Sequence, residues 1–193
     1  MLEYIKGNIQ EITPAYTVIE NNKIGYFVNI SLHTYSQISE MKEVSLIVHE
    51  IIREDAYLLY GFAERNEREL FRQLLSVSGV GANTACMMLS SLSPSELTNA
   101  IINGEVNTLK SVKGIGAKSA QRIIVDLKDK LSKEETMGEI ISTRDNTIKD
   151  EAFSALVTLG FNKRKVEQVL DKLLAKSSDL KVEDLIKRAL QEL

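Results

Sequence analysis

Leu74-Leu75-Ser76-Val77-Ser78-Gly79-Val80-Gly81-Ala82-Asn83-Thr84-Ala85 and Leu109-Lys110-Ser111-Val112-Lys113-Gly114-Ile115-Gly116-Ala117-Lys118-Ser119-Ala120 are two copies of one pattern. Leu74 corresponds to Leu109, Ser76 to Ser111, Val77 to Val112 and Ala85 to Ala120. The Gly-apolar-Gly triplets coincide at a constant offset of 35 residues, which marks an internal repeat. Each copy joins two apolar helical runs through a tight glycine turn, so the segment reads as a tandem helix–hairpin–helix. Glycine permits positive φ and lets a ligand approach bare backbone. Backbone N–H groups at such a turn, continued by an open helix N-terminus, form a concavity suited to an anion, and phosphate is its natural occupant. A single Gly-x-Gly could be an ordinary bundle turn; two copies in register favour a nucleic-acid backbone.

The candidate contact residues are therefore Gly79, Val80, Gly81, Asn83 and Thr84 in the first copy. In the second they are Lys113, Gly114, Ile115, Gly116, Lys118 and Ser119, with Arg122 one turn beyond Lys118 on the same polar face. The net charge of −3 looks unfavourable for such a ligand until it is divided. Residues 1–63 carry four Lys/Arg against eight Asp/Glu, residues 64–131 nine against seven, and residues 132–193 eleven against twelve. The positive balance falls on the segment with the repeat, and phosphate attraction is local within a Debye length of about 10 Å.

Composition excludes several classes. The chain of 193 residues is 44% hydrophobic and 26% charged, ordinary for a water-soluble multidomain protein. No apolar run reaches the roughly 20 residues that span a bilayer. Met1-Leu2-Glu3-Tyr4-Ile5-Lys6 lacks the basic and apolar regions of a signal peptide. The lone Cys86 precludes an internal disulfide and fits a reducing, cytoplasmic setting, with a packing role on an apolar helix. His33 and His49 are isolated, so neither a metal nor any other cofactor is expected.

Residues 1–63 alternate as strands: Leu2–Lys6, Asn8–Thr13, Tyr16–Glu20, Ile24–Ser31, Val44–Arg53 and Ala56–Phe62, with Asn21-Asn22-Lys23 as a hairpin signal. A polar excursion through Tyr35 and Ile38 interrupts them. Closely spaced strands without a helix long enough for a parallel crossover predict a small closed barrel, OB-type before SH3-like. Arg53-Glu54-Asp55 falls at the tip between the last two strands; a solvated turn is the plain reading of its carboxylates.

Residues 64–142 read as the all-α tandem hairpin domain. Its first helix, Ala63–Ser76, would place Glu64, Glu67, Arg68 and Arg72 outside and Leu70, Phe71, Leu74 and Leu75 inside. Ser93-Pro94-Ser95-Glu96 is a capping box with proline at the first helical position. Residues 143–148 read as a flexible linker, with flexibility beginning near residue 132. Three amphipathic helices follow in 149–193, the first ended by Gly160 and the second begun by Asn162. Such a small bundle buries little surface and reads as a docking module or a stabilising appendage.

The barrel, the Arg53-Glu54-Asp55 tip followed by Leu58-Leu59-Tyr60-Gly61-Phe62, the tandem hairpins and the tethered bundle closely resemble the RuvA family of bacterial Holliday-junction-binding proteins. The resemblance runs along essentially the whole chain. It implies a homotetramer, alone or as two tetramers face to face, that holds a four-way DNA junction open and square-planar in recombination and repair. It implies that Glu54 and Asp55 form an acidic pin at the centre, and that residues 149–193 dock the hexameric ATPase RuvB, the resolvase RuvC acting later. The chain departs from the family in charge. Gly79-Val80-Gly81-Ala82-Asn83-Thr84 lacks a lysine often present there, and Ala117 precedes Lys118 where two basic residues are common. Fewer cations imply a shallower salt dependence, each phosphate contact adding about 0.9 to the log–log slope.

Two other functions compete. A base-excision glycosylase would use a lysine at the place of Lys118 and a carboxylate roughly 20 residues downstream. Asp126 and Asp129 come too early, and Glu134-Glu135 sit in polar, linker-like sequence. A non-catalytic module that binds duplex backbone without junction preference is the second; the barrel and its acidic tip separate it from the junction reading.

Overall fold

The computed structural model describes the backbone of residues 2–140, 144–176 and 180–193, and the side chains of residues 2–132, 148–174 and 180–193. Five strands, β1 (Tyr4–Ile12), β2 (Tyr16–Asn21), β3 (Ile24–Ile30), β4 (Glu43–Ile52) and β5 (Tyr57–Phe62), close a barrel in the order β1-β2-β3-β5-β4. β4 returns to β1, and β3 meets β5 in parallel through Asn29–Tyr60 and Ile30–Gly61. This is the OB-type arrangement. Inward residues Ile5, Ile19, Val28, Ile30, Val44, Leu46 and Val48 fill it. The Asn21–Ile24 pair closes the expected hairpin, with Asn22 and Lys23 both at positive φ as a type I′ turn requires.

Two sequence-based expectations are corrected in the barrel. Leu2–Lys6 and Asn8–Thr13 are one strand, β1, whose first half pairs with β4 and second half with β2. Gly7 joins the halves rather than breaking them, because a Cβ there would lie 2.1 Å from the Glu20 carbonyl oxygen. The polar excursion is a helix, α1 (Leu32–Ile38), between β3 and β4. Its sequence has weak helix propensity; the Ser31 cap and burial of Thr34 and Ile38 supply what propensity lacks. A parallel strand pair is also present, made across that helix and β4 rather than by a long crossover.

The helical segment contains α2 (Arg65–Leu75), α3 (Ala82–Ser91), α4 (Pro94–Ile102), α5 (Val106–Lys110) and α6 (Ala117–Ile140). The Ser93/Glu96 capping box forms as expected. After α4, Gly104 at φ 72° closes a Schellman turn, with Glu105 N–H donating to the Ala100 carbonyl and Gly104 N–H to that of Ile101. Barrel and helices form one compact unit ending at Ser132. Tyr60 and Phe62 of β5 belong to the helical core, each ring 5.0 Å from that of Phe71.

The expectation that Glu67 and Arg68 face solvent is wrong. Glu67 is 0% and Arg68 4% exposed. The Glu67 carboxyl accepts from the Ser31 hydroxyl and, at 2.6 Å, from that of Thr34. Those hydroxyls in turn accept from Thr34 N–H and Ala63 N–H, so one carboxyl terminates two relays that cap α1 and hold the chain as it leaves β5. Arg68 pairs with Glu3 at 2.7 Å. Helical periodicity could not register this, because the face burying them is polar.

Burial pushes the Glu67 carboxyl above its ordinary value, against the pull of the two hydroxyls. A carboxyl raised in this way holds its proton more tightly folded than unfolded. Its contribution to stability is therefore greatest at low pH and is lost as pH rises through the folded value. Denaturant unfolding across pH 4–8 should show wild-type stability falling with pH relative to Glu67→Gln. Glu67→Ala should cost roughly 1–3 kcal/mol at all pH values by stranding two hydroxyl donors. A pH-independent gap between wild type and Glu67→Gln would contradict this account.

Helix α6 runs on to Ile140 and a further helix starts at Arg144, so the expected linker at 143–148 overlaps the first turn of that helix; residues 141–143 lie outside the described residues. Lysine and glutamate are good helix formers, so this sequence can continue a helix without an apolar period. A second unit begins at Lys133 and contains α7 (Arg144–Thr158), α8 (Lys163–Lys176) and α9 (Val182–Glu192). Ala152, Leu156, Val166, Leu170, Leu185 and Ala189 form its core. Gly160, at φ 96°, ends α7 in a Schellman motif, and Asn162 caps α8 through the Arg164 N–H at 3.0 Å. Lys172 and Glu192 pair α8 with α9 at 2.8 Å.

Candidate nucleic-acid interface

The two hairpins, residues 76–81 between α2 and α3 and residues 111–116 between α5 and α6, repeat one another bond for bond. Val77 N–H donates to Leu74 at 3.1 Å and Val112 N–H to Leu109 at 3.3 Å. Val80 N–H reaches Val77 at 3.0 Å, and Ile115 N–H reaches Val112 at 3.1 Å. Ala85 and Ala120 N–H groups donate to Gly81 and Gly116, both at 2.9 Å. Gly79 and Gly114 share a φ of 91°, a conformation that excludes most side chains. Leu74, Val77 and Ala85, with their partners Leu109, Val112 and Ala120, are buried.

Val80 and Ile115 are also buried, so both candidate residues are hairpin anchors whose side chains pack inward. Their outward contribution is confined to backbone. Gly81 and Gly116 differ from the first glycine of each turn. Neither has positive φ, and a Cβ on either would meet nothing within 4 Å. The fold does not require glycine there, and the space beside each is open. Helix starts α3 and α6 add the N–H groups of Ala82, Asn83 and Thr84, and of Ala117, Lys118 and Ser119, which lack intrahelical acceptors. No side chain caps α3. Each hairpin thus presents bare backbone and open amides on its outer side.

The repeats diverge in side chains. Lys113 and Lys118 stand exposed on the second hairpin, where the first has Ser78 and Asn83. The Asn83 side chain accepts from the Tyr60 hydroxyl at 2.7 Å, pinning the start of α3 to β5. Arg122, exposed on α6, donates through Nη1 to the Ser78 carbonyl at 3.1 Å, from the second repeat into the first hairpin. Neither link was visible in sequence. The 35-residue offset does flag the asymmetry, since Met87 stands opposite Arg122.

The acidic tip is placed as expected. Ile52 and Tyr57 form the last pair of the β4–β5 ladder, and Arg53 N–H donates to Ala56 at 2.8 Å, leaving Glu54 and Asp55 exposed at the turn. Tyr57 donates to Glu50 at 2.6 Å, and Leu2 N–H donates to the same carboxylate at 2.7 Å. Those bonds hold the Glu50 carboxyl below its ordinary value and brace the tip's base. Tyr60 lies three residues beyond Tyr57 on β5, about 10 Å along the strand. A single strand therefore connects the acidic tip to the anchor of the first hairpin.

Catalytic chemistry finds little footing. Burial pushes the Cys86 thiol up to about 11, which suits packing and not nucleophilic attack. Asp126 and Asp129 ride on the same helix as Lys118; eight residues along a helix is about 12 Å, too far for a paired lysine and carboxylate. Among the described residues no His/Cys/Asp/Glu group could hold a metal, and no helix is long and apolar enough to cross a membrane.

Comparison with known proteins adds independent findings. Residues 1–61 match the RuvA N terminal domain, residues 71–129 the SAM-like helix-hairpin-helix tandem, and residues 147–193 the RuvA C-terminal domain. The Holliday junction branch migration complex subunit RuvA of Christiangramia forsetii is 52% identical over the full length of both chains. The proteins of the same description from Flavobacterium psychrophilum and Porphyromonas gingivalis are 48% and 50% identical, again covering both chains completely.

Proposed function

This chain belongs to the RuvA family, and we propose on that premise that it binds four-way (Holliday) DNA junctions and serves their branch migration. The observation that carries the reading is the paired hairpin, two backbone cradles with the same hydrogen bonds in one compact unit that also carries an acidic tip. The cradles hold backbone without reading bases, as a ligand defined by shape requires. The tip supplies what a plain duplex binder has no use for: negative charge where strands must part.

In this reading the protein is a cytoplasmic, non-catalytic DNA-binding subunit and assembles as a homotetramer, with an octamer as a further state. Ile52 and Tyr57, exposed beside the tip, give an apolar surface for such an assembly to cover. Residues 149–193 dock the RuvB ATPase; their separate core and their match to the RuvA C-terminal domain support a module that acts apart from the DNA grip. RuvC shares the junction afterwards. A chain ending at residue 143 should bind junctions like the full chain yet lose stimulation of RuvB ATP hydrolysis; an intact motor response would refute docking through this unit.

The deciding experiment is a competition gel shift of a four-way junction against linear duplex of equal length. Junction preference is expected. Equal competition would favour the module that binds duplex without regard to shape.

A further inference from the structure

The first hairpin has no charged residue between Ser76 and Thr84, whereas the second has Lys113 and Lys118. Both nevertheless offer the same backbone cradle, with matching hydrogen bonds and the same glycine φ. Arg122 resolves the mismatch. Its position on α6 assigns it to the second repeat, yet its guanidinium donates to the Ser78 carbonyl of the first hairpin, 44 residues away. Among the described residues it makes no other bond that is resolved, so most of its five donors stay open. We propose that Arg122 is the working cation of the first hairpin: one donor clamps the two hairpins at fixed spacing, and the remaining donors take the phosphate held there. The proposal rests on the DNA-binding reading above and deepens it.

The physical logic is one of position. A phosphate on the first cradle meets only neutral groups from its own repeat, and open amides alone give an unassisted site. A guanidinium 3.1 Å from Ser78 O places positive charge at that turn, and its planar fork can serve a carbonyl and a phosphate oxygen together. The clamp also makes the cradles a unit, because a shift of the second repeat drags the charge away from the first. Asn83, held by Tyr60 at 2.7 Å, fixes the other side of the same hairpin.

The test is a double-mutant cycle in the full-length chain, read as anisotropy of a labelled immobile four-way junction over a salt titration. Arg122→Ala should weaken binding about tenfold and lower the log–log salt slope by about 0.9. Arg122→Lys should keep the slope while recovering only part of the affinity. Combined with Gly81→Val, which spoils the first cradle, Arg122→Ala should cost less than about twofold more. Combined with Gly116→Val it should still cost about tenfold. Arg122 is exposed, so melting temperatures should stay within about 2 °C. Coupling to Gly116 in place of Gly81, or additivity with both, would overturn the assignment, as would an Arg122→Ala protein that binds like the unmodified one. Failure of the unmodified chain to bind the junction would strike the underlying reading instead, and is seen before any Arg122 variant is compared.

Discussion

Gly81→Val combined with Gly116→Val in one chain should lower junction affinity by more than about 100-fold while leaving the protein folded. Each substitution replaces a bare backbone position where charge-assisted N–H bonds to phosphate are worth roughly 1.5–3 kcal/mol, so two together exceed that factor. The fold has no reason to object. Gly81 lies at φ −89° and ψ 170°, extended backbone that a β-branched residue prefers, and a Cβ at either position enters open space. Gly79→Val and Gly114→Val make the contrast, because φ of 91° strains any branched side chain. Those variants should lose binding and stability together. The separation is measured by gel shift beside thermal unfolding. Retained affinity in the Gly81/Gly116 double variant would dismiss the cradles as the DNA grip.

The hairpins were legible in sequence because their logic is local. Glycine spacing, flanking apolar residues and the 35-residue offset are all written in one stretch, and the structure reproduces them bond for bond. The barrel was legible as alternation and turn signals, down to the Asn22-Lys23 turn. What escaped was whatever depended on distant partners. Helix α1 is held by Glu67 from another element, not by its own propensity. Gly7 marks close passage of β1 over β2, which from sequence looks like a break. Val80 and Ile115 occupy the middle of each Gly-x-Gly and so look exposed, yet the turn folds them inward. Arg122 and Ser78 meet across 44 residues, and no periodicity encodes such a pair.

Glu54→Gln with Asp55→Asn should tighten linear duplex more than junction, narrowing the preference between them, and should alter branch migration. At 10 Å in water a carboxylate and a phosphate repel by about 0.4 kcal/mol, less once salt screens them. One tip alone would change little. Gathered around the centre of a tetramer, the copies would act on the same phosphates, and their sum would reach a change on the order of tenfold. A linear duplex must carry continuous phosphate through that centre, whereas a junction turns its strands outward and leaves the middle thin. Removing the charge therefore relieves the duplex of a cost that the junction hardly bore. The effect must also be local. Glu20→Gln with Glu40→Gln removes as much charge from the barrel and should leave both affinities nearly unchanged. If the control shifts binding as far as the tip does, net charge and not the pin is responsible. If the tip variant changes neither affinity nor migration, Glu54 and Asp55 are only a solvated turn. The bracing of Tyr57 on Glu50 argues against that outcome, because a turn left to solvent gains nothing from a stiffened base.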